Sequence, residues 1–357
     1  MRRPISSAGL AAVGLVVLAA GCGGRADSSP GAGASRLTGA GATFPYPIYD
    51  RWFNTYAQGH GVQINYQSIG SGGGIRQFTE GTVDFGATDG PMTDEQIQAV
   101  GGNVLHLPTV LGADVLTYNL PQLGEHRLRL DAAAVADIFL GKIKRWNDSR
   151  LAALNPGATL PARDLIVVHR SDGSGTTYVF TDYLSKVSDE WRTRVGTATT
   201  VEWPVGLGGK GNEGVTQQVK QLEGTIGYVE LVYATSNNLP VALVANAAGQ
   251  FVEPTLDAVT AAAASATLPP DTDFRVSITN APGETAYSIT SYTWLLVKAD
   301  NPDPAKGRAI RDFLNWMLTD EAQGMARELG YAPLPAEVAG LVRDRLATLR
   351  AGGSPIS

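Results

Sequence analysis

Three segments of this chain share one chemical character: a hydroxyl set among glycines immediately before a helical pattern. The first is Thr38–Phe44 (TGAGATF), followed from Pro45 by Ile48, Trp52 and Tyr56 at helical spacing. The second is Ile69–Gly74 (IGSGGG), followed by Ile75 and Phe78. The third is Arg170–Thr176 (RSDGSGT), followed by Val179, Phe180 and Leu184. The first amides of a helix lack partners within it, and they favour negative charge. Glycine lets the backbone approach a ligand closely. One such segment alone reads as an N-cap, the usual office of Ser or Thr at that place. Three in one chain, one of them carrying Arg170, point instead to donors converging on a buried oxyanion.

The rest of the chain fits a frame that would carry such turns. From Leu37 onward, short apolar strands alternate with helical patterns, the signature of an α/β architecture. Val62, Ile64 and Tyr66 alternate as in a half-buried strand, while Leu165–His169 (LIVVH) is a continuous apolar run suited to a buried parallel one. Ile310, Phe313, Leu314, Met317 and Leu318 lie on one helical face and predict a core-facing helix. The six tryptophans are scattered and read as packing residues rather than a stacking platform. The segment 239–268 is Ala-rich and poor in charge. With 357 residues, 43% of them hydrophobic, the chain is long enough for two domains and apolar enough for a packed core.

Several other chemistries are disfavoured. A net charge of −6 argues against nucleic acid as the main partner, since the phosphate backbone needs a basic face. Gly206–Gly211 (GLGGKG) formally matches a dinucleotide fingerprint, but it follows Pro204 and fails the P-loop pattern because Asn212 stands after the Lys–Gly pair. His60, His106, His126 and His169 show no metal-ligand spacing, and one cysteine does not suit a structural zinc site. Neither Ser71 nor Ser174 lies in a Gly-x-Ser-x-Gly elbow.

That one cysteine bears on location. Arg2 and Arg3 precede a 13-residue apolar stretch, Ala8–Ala20, and then Gly21 and Cys22. The order of charge, apolar core and small residues is that of a secretory signal, and the stretch is too short to span a bilayer. Leu18–Cys22 resembles a bacterial lipobox, in which the thiol is lipidated and becomes the first residue of the mature chain. Residues 1–21 are therefore expected to be a lipoprotein signal peptide and 22–36 a flexible Gly/Ser tether.

At its Gly-rich segments the sequence resembles the periplasmic phosphate-binding proteins of the bacterial phosphate-specific ABC transporter. The matching runs are TGAGATFPYPIYDRW, INYQSIGSGGGIRQF, VDFGATDGPMTDEQ, DIFLGKIKRWND, VVHRSDGSGTTYVFTDYL, WPVGLGGKGNEGV and GTIGYVE, and the resemblance extends over roughly residues 38–335. The resemblance implies an α/β, two-lobed type II periplasmic binding protein with two hinge strands. Its lobe I would comprise 37–117 and 284–357, and its lobe II 118–283. It also implies phosphate ligands from both lobes: Thr43, Phe44 through its backbone N–H, Ser71 and Asp89 from one, and Arg170, Ser174, Gly175 and Thr176 from the other, with Asp172 holding Arg170. Gly72 and His169 stand where the family often has a serine and a second arginine. The implied function is high-affinity binding of inorganic phosphate outside the membrane and delivery to ABC permease subunits. A monomer is expected, with no catalytic residue, no cofactor and no metal. An exported phosphohydrolase would need a nucleophile with a base or metal. A sulfate or molybdate binder would have little use for a proton acceptor such as Asp89.

The N-terminal reading has a direct test. Cys22→Ala should yield uncleaved precursor or a soluble exported form. Cell fractionation in which the variant stays fully processed and membrane-bound would overturn the lipid anchor.

Overall fold

Parallel strands that stop at glycine-containing turns set the architecture, because each turn hands the chain to a helix on the face of the sheet. The computed structural model of the protein describes residues 36–356. Cys22, the expected signal segment and all of the expected tether but Arg36 lie outside the described residues. The elements that position the site are strands β1 (Arg36–Gly41), β2 (Gln63–Ser68), β3 (Phe85–Thr88), β4 (Val104–Tyr118), β5 (Ile166–Arg170), β6 (Leu207–Gly209), β7 (Thr225–Glu230) and β8 (Thr290–Lys298). They form one sheet in the order β2-β1-β3-β8-β4-β7-β5-β6.

The long strand β4 divides this sheet. Its residues up to Ala113 pair antiparallel with β8, and from Asp114 to Tyr118 it pairs antiparallel with β7. One half is then β2-β1-β3-β8 and the other β7-β5-β6, with parallel pairing among β1, β2 and β3 and among β5, β6 and β7. The chain comes back beside the crossing, where the Asp114 N–H donates to the Ile289 carbonyl at 2.8 Å. This mixed α/β arrangement agrees with the two-lobed binding-protein fold expected from the sequence.

Helix α1 (Tyr46–His60) buries Ile48, Tyr49, Trp52, Phe53 and Tyr56, which include the three residues whose spacing predicted it. Helix α2 (Ser71–Thr79) buries Ile75 and Phe78, and α3 (Gly175–Val187) buries Val179, Phe180 and Leu184. Helix α4 (Gly211–Gln221) follows β6 directly, so the Gly206–Gly211 stretch is a further strand-to-helix turn of the same kind. The Ala-rich segment contributes α5 (Leu256–Ala264), whose small buried residues Ala258, Ala262 and Ala263 suit close packing. The expected C-terminal core stripe lies on α6 (Pro304–Met317), with Leu318 buried just beyond it. Four tryptophans are fully buried, and their indole N–H groups donate to backbone carbonyls, Trp52 to Ala322 and Trp146 to Gly224 among them. They are core residues. Among the described residues no helix is long and apolar enough to cross a membrane.

Candidate functional site

The carboxyl ends of the parallel strands in both halves face one place, the position where α/β sheets hold ligands. In the register of the first half Gly41 lies beside both Ser68 and Ala87, so the turns after β1, β2 and β3 are neighbours. In the second, Arg170 lies beside Gly209, so the turns after β5 and β6 adjoin. Thr43, Phe44, Ser71, Asp89, Arg170, Ser174, Gly175 and Thr176 leave these turns, and all eight are buried.

The capping reading separates the three hydroxyls. Ser174 is the N-cap of α3 and accepts from the Thr177 N–H at 3.0 Å. The N-caps of α1 and α2 are Pro45 and Gly70, with no side-chain cap, so Thr43 and Ser71 are not there to start helices. Their hydroxyls turn to the site. The Ser71 hydroxyl oxygen accepts from the Asp89 N–H at 3.2 Å. Asp89 Oδ1 accepts from Thr293 Oγ1 at 2.8 Å, while Oδ2 lies 3.5 Å from Ser71 Oγ. The backbone at Thr43 and Phe44 is held from behind, since the Tyr233 hydroxyl donates to the Thr43 carbonyl and the Tyr331 hydroxyl to the Phe44 carbonyl.

Arg170 supplies the cation. Its Nε and Nη2 donate to Asp172 Oδ1 and Oδ2 at 2.8 and 2.6 Å, a bidentate pair, and Nη1 donates to Thr176 Oγ1 at 3.2 Å. Burial works against the guanidinium charge, but the Asp172 hydrogen bonds and charge outweigh it and raise its affinity for the proton. Burial likewise opposes ionisation of Asp172, and Arg170 reverses the effect, leaving that carboxyl below its usual range. Asp172 thus holds the Arg170 guanidinium in a fixed orientation.

Two glycines let the halves meet. A Cβ on Gly175 would fall 2.4 Å from Ser71 Oγ and 2.5 Å from Asp89 Oδ2, so the first turn of α3 is pressed onto the opposite half. Gly70 has φ +87°, and a Cβ there would fall 2.4 Å from Asp172 Oδ2. Beside it the Gly72 N–H donates to the Gly173 carbonyl at 2.9 Å. Gly72, which replaces the family's frequent serine, makes this rim contact through its backbone. His169 stacks on Trp203, with centroids 4.9 Å apart, and bonds the Arg170 carbonyl rather than the site.

Sequence reasoning missed Asn212, Thr293, Asp114 and Glu230. Asn212 is fully buried at the start of α4, and its Nδ2 reaches both Thr43 Oγ1 (2.8 Å) and Thr176 Oγ1 (3.1 Å). The one available signal was its place after GLGGKG, a turn of the same type as the other three. Asp114 and Glu230 face each other across β4 and β7 at the crossing. Both Asp114 carboxyl oxygens and Glu230 Oε1 are buried without a hydrogen-bond partner. Glu230 Oε2 accepts from the Val232 N–H and lies 3.2 Å from the Tyr331 hydroxyl. Burial raises all three interior carboxyls, Asp89 to about 7 and Asp114 and Glu230 well above the usual carboxylate range. Among the described residues no group of three or more His, Cys, Asp or Glu side chains is arranged to hold a metal ion.

A sheet that crosses between two halves, with donors converging from both, defines a two-lobed binding protein, and the model of the PBP superfamily domain matches residues 27–321. The "Phosphate-binding protein PstS" of Pasteurella multocida is 47% identical over 305 residues, covering 85% of this chain and 88% of that protein. The protein of the same name in Haemophilus influenzae is 45% identical over 321 residues, covering 89% and 95%. The chain belongs to this family of substrate-binding proteins, which are not enzymes. Its fold is similar to that of a high-affinity periplasmic phosphate-binding protein (PfluDING) solved with phosphate, with a TM-score of 0.70 at 20% identity over 87% of this chain and 93% of that one.

The buried carboxyls make stability depend on pH. A group that holds its proton more tightly when folded favours the folded state at low pH, and the benefit disappears as pH rises towards its folded value. For Asp89 that window runs from 3.8 to about 7, and Asp114 and Glu230 extend the decline upward. Asp114→Val removes two unpartnered oxygens from the crossing strand. It should stabilise the phosphate-free protein at pH 8 by roughly 1–3 kcal/mol and by less at pH 5. Thermal unfolding at the two pH values checks this, and no gain at pH 8 would refute it.

Proposed function

We propose that this chain captures inorganic phosphate outside the cell membrane and hands it to the permease of an ABC transporter. The observation that supports this most is the convergence of one buried guanidinium, several hydroxyls and first-turn amides on a site that also contains one carboxyl, Asp89. A phosphate stripped of water needs every oxygen hydrogen-bonded, and the donors answer that need. Phosphate near neutral pH also carries a proton, which needs an acceptor. Asp89 Oδ1 accepts from Thr293 at 2.8 Å while Oδ2 has only the 3.5 Å contact with Ser71 Oγ, so Oδ2 is the oxygen more open to it. The ligand set is that named above: Thr43, the Phe44 N–H, Ser71, Asp89, Arg170, Ser174, the Gly175 N–H and Thr176. Closure of two lobes about β4 and the returning strand β8 brings those donors together, and opening releases the anion. Lipidation at Cys22 keeps the monomer beside its permease.

Arg170 is the only permanent positive charge in this set, and its fork is held ready by Asp172. Arg170→Ala should cost on the order of 2–5 kcal/mol of phosphate affinity. Arg170→Lys should recover part of that, because an ammonium cannot keep the bidentate geometry. Isothermal titration with phosphate-stripped protein measures both. Wild-type affinity in Arg170→Ala would remove Arg170 from the site.

Asp89 sets the choice between anions. Sulfate brings no proton, so it meets Asp89 as anion against anion unless the carboxyl keeps its own. With that carboxyl raised to about 7, acidification supplies the proton, and preference for phosphate over sulfate should shrink as pH falls below 7. Asp89→Asn should lower the phosphate-to-sulfate affinity ratio at pH 8 by about tenfold or more and flatten its pH dependence. An unchanged ratio in competition titrations would end this account of selectivity.

A further inference from the structure

A hydroxyl has one proton to give and two lone pairs to receive with. At Thr43 both lone pairs are taken, because Oγ1 accepts from the Asn212 Nδ2 at 2.8 Å and from the Asn212 backbone N–H at 3.3 Å. At Thr176 they are taken as well, by Arg170 Nη1 at 3.2 Å and Asn212 Nδ2 at 3.1 Å. Each threonine is left with only its proton to offer. The amide that imposes this is itself fixed. Asn212 Oδ1 accepts from the Glu230 N–H at 3.0 Å, and a flipped amide would set NH₂ against that N–H and present an acceptor to both threonines. Asn212 is fully buried.

We propose that Asn212 is a positioning residue that locks the Thr43 and Thr176 hydroxyls as donors and so bars both from receiving the ligand's proton. This rests on the phosphate reading given above and deepens it. Two hydroxyls from opposite halves of the protein, 133 positions apart in the chain, are set by one amide. Each meets a ligand oxygen only as a donor, and neither can receive the ligand's proton. The ligand's proton is thereby left to Asp89, which can accept it. Asn212 selects by hydrogen-bond direction, whereas Arg170 selects by charge.

The test is the penalty of Thr43→Val, which removes the hydroxyl at nearly constant volume, measured in three backgrounds by calorimetric titration with inorganic phosphate. In the wild-type background the substitution should weaken binding by about tenfold or more, the worth of a hydrogen bond to a charged group. In Asn212→Ala the hydroxyl is free to turn, and the same substitution should cost less than about threefold. In Asn212→Asp the bond from the Glu230 N–H is kept, but the new carboxylate accepts and draws the Thr43 proton away from the ligand. There Thr43→Val should tighten phosphate binding, a change of sign that neither charge repulsion by the new carboxylate nor a disturbed helix start would produce. Asn212→Asp is close in volume to the native residue and gives this result even if Asn212→Ala does not fold. An equal penalty in every folded background would overturn the proposal while leaving phosphate binding intact. A wild-type protein that binds no phosphate would overturn the phosphate reading itself.

Discussion

A guanidinium buried against a carboxylate is the constraint around which this protein is arranged. Arg170 ends an inner strand of the sheet, where its charge would be buried unpaired without Asp172 two residues later. The pairing has a price in design: the positive charge is already matched before any anion arrives. An incoming phosphate must then be held largely by dipoles, which are useful only when many are fixed in direction beforehand. This explains why strand after strand in the sheet stops at a turn and feeds a helix N-terminus into the same place. It also explains why their supports are so rigid, with Tyr233 and Tyr331 bracing the backbone at Thr43 and Phe44.

Much of this was legible in the sequence because glycine and hydroxyl residues at strand-to-helix turns leave a local signature. Thr43, Ser71 and Ser174 could be found without knowing what lies across from them, and the spacing of Ile75 and Phe78 or of Val179 and Phe180 gave the helices that follow. The resemblance to phosphate-binding proteins added Asp89, which on its own reads as a surface or capping aspartate. The residues that were missed act through partners remote in sequence. Asn212 is 169 positions from Thr43, and nothing local marks it as the amide that joins two hydroxyls. Thr293 sits in a buried strand, and its link to Asp89 depends on tertiary register alone.

Asp114 and Glu230 show the same limit from another side. Each belongs to a strand otherwise made for the interior, and each is fully buried. Pattern alone cannot tell that a single acid within such a run points inward against another acid. Their positions at the crossing of β4 from β8 to β7 put two costly groups where the halves of the sheet join. A core built for stability alone would not place them there. Burial therefore biases three carboxyls near the candidate site, Asp89, Asp114 and Glu230, towards their protonated forms.

The rim of the site has one more implication, which concerns entropy. Where the halves touch at Gly70, Gly72 and Gly173, backbone meets backbone, and Gly72 and Gly173 bond directly. A seam made of long side chains would have to freeze several rotors each time it formed, at up to about 2 kcal/mol for each lysine or arginine. A seam of glycines freezes none. Forming this rim therefore costs little side-chain entropy.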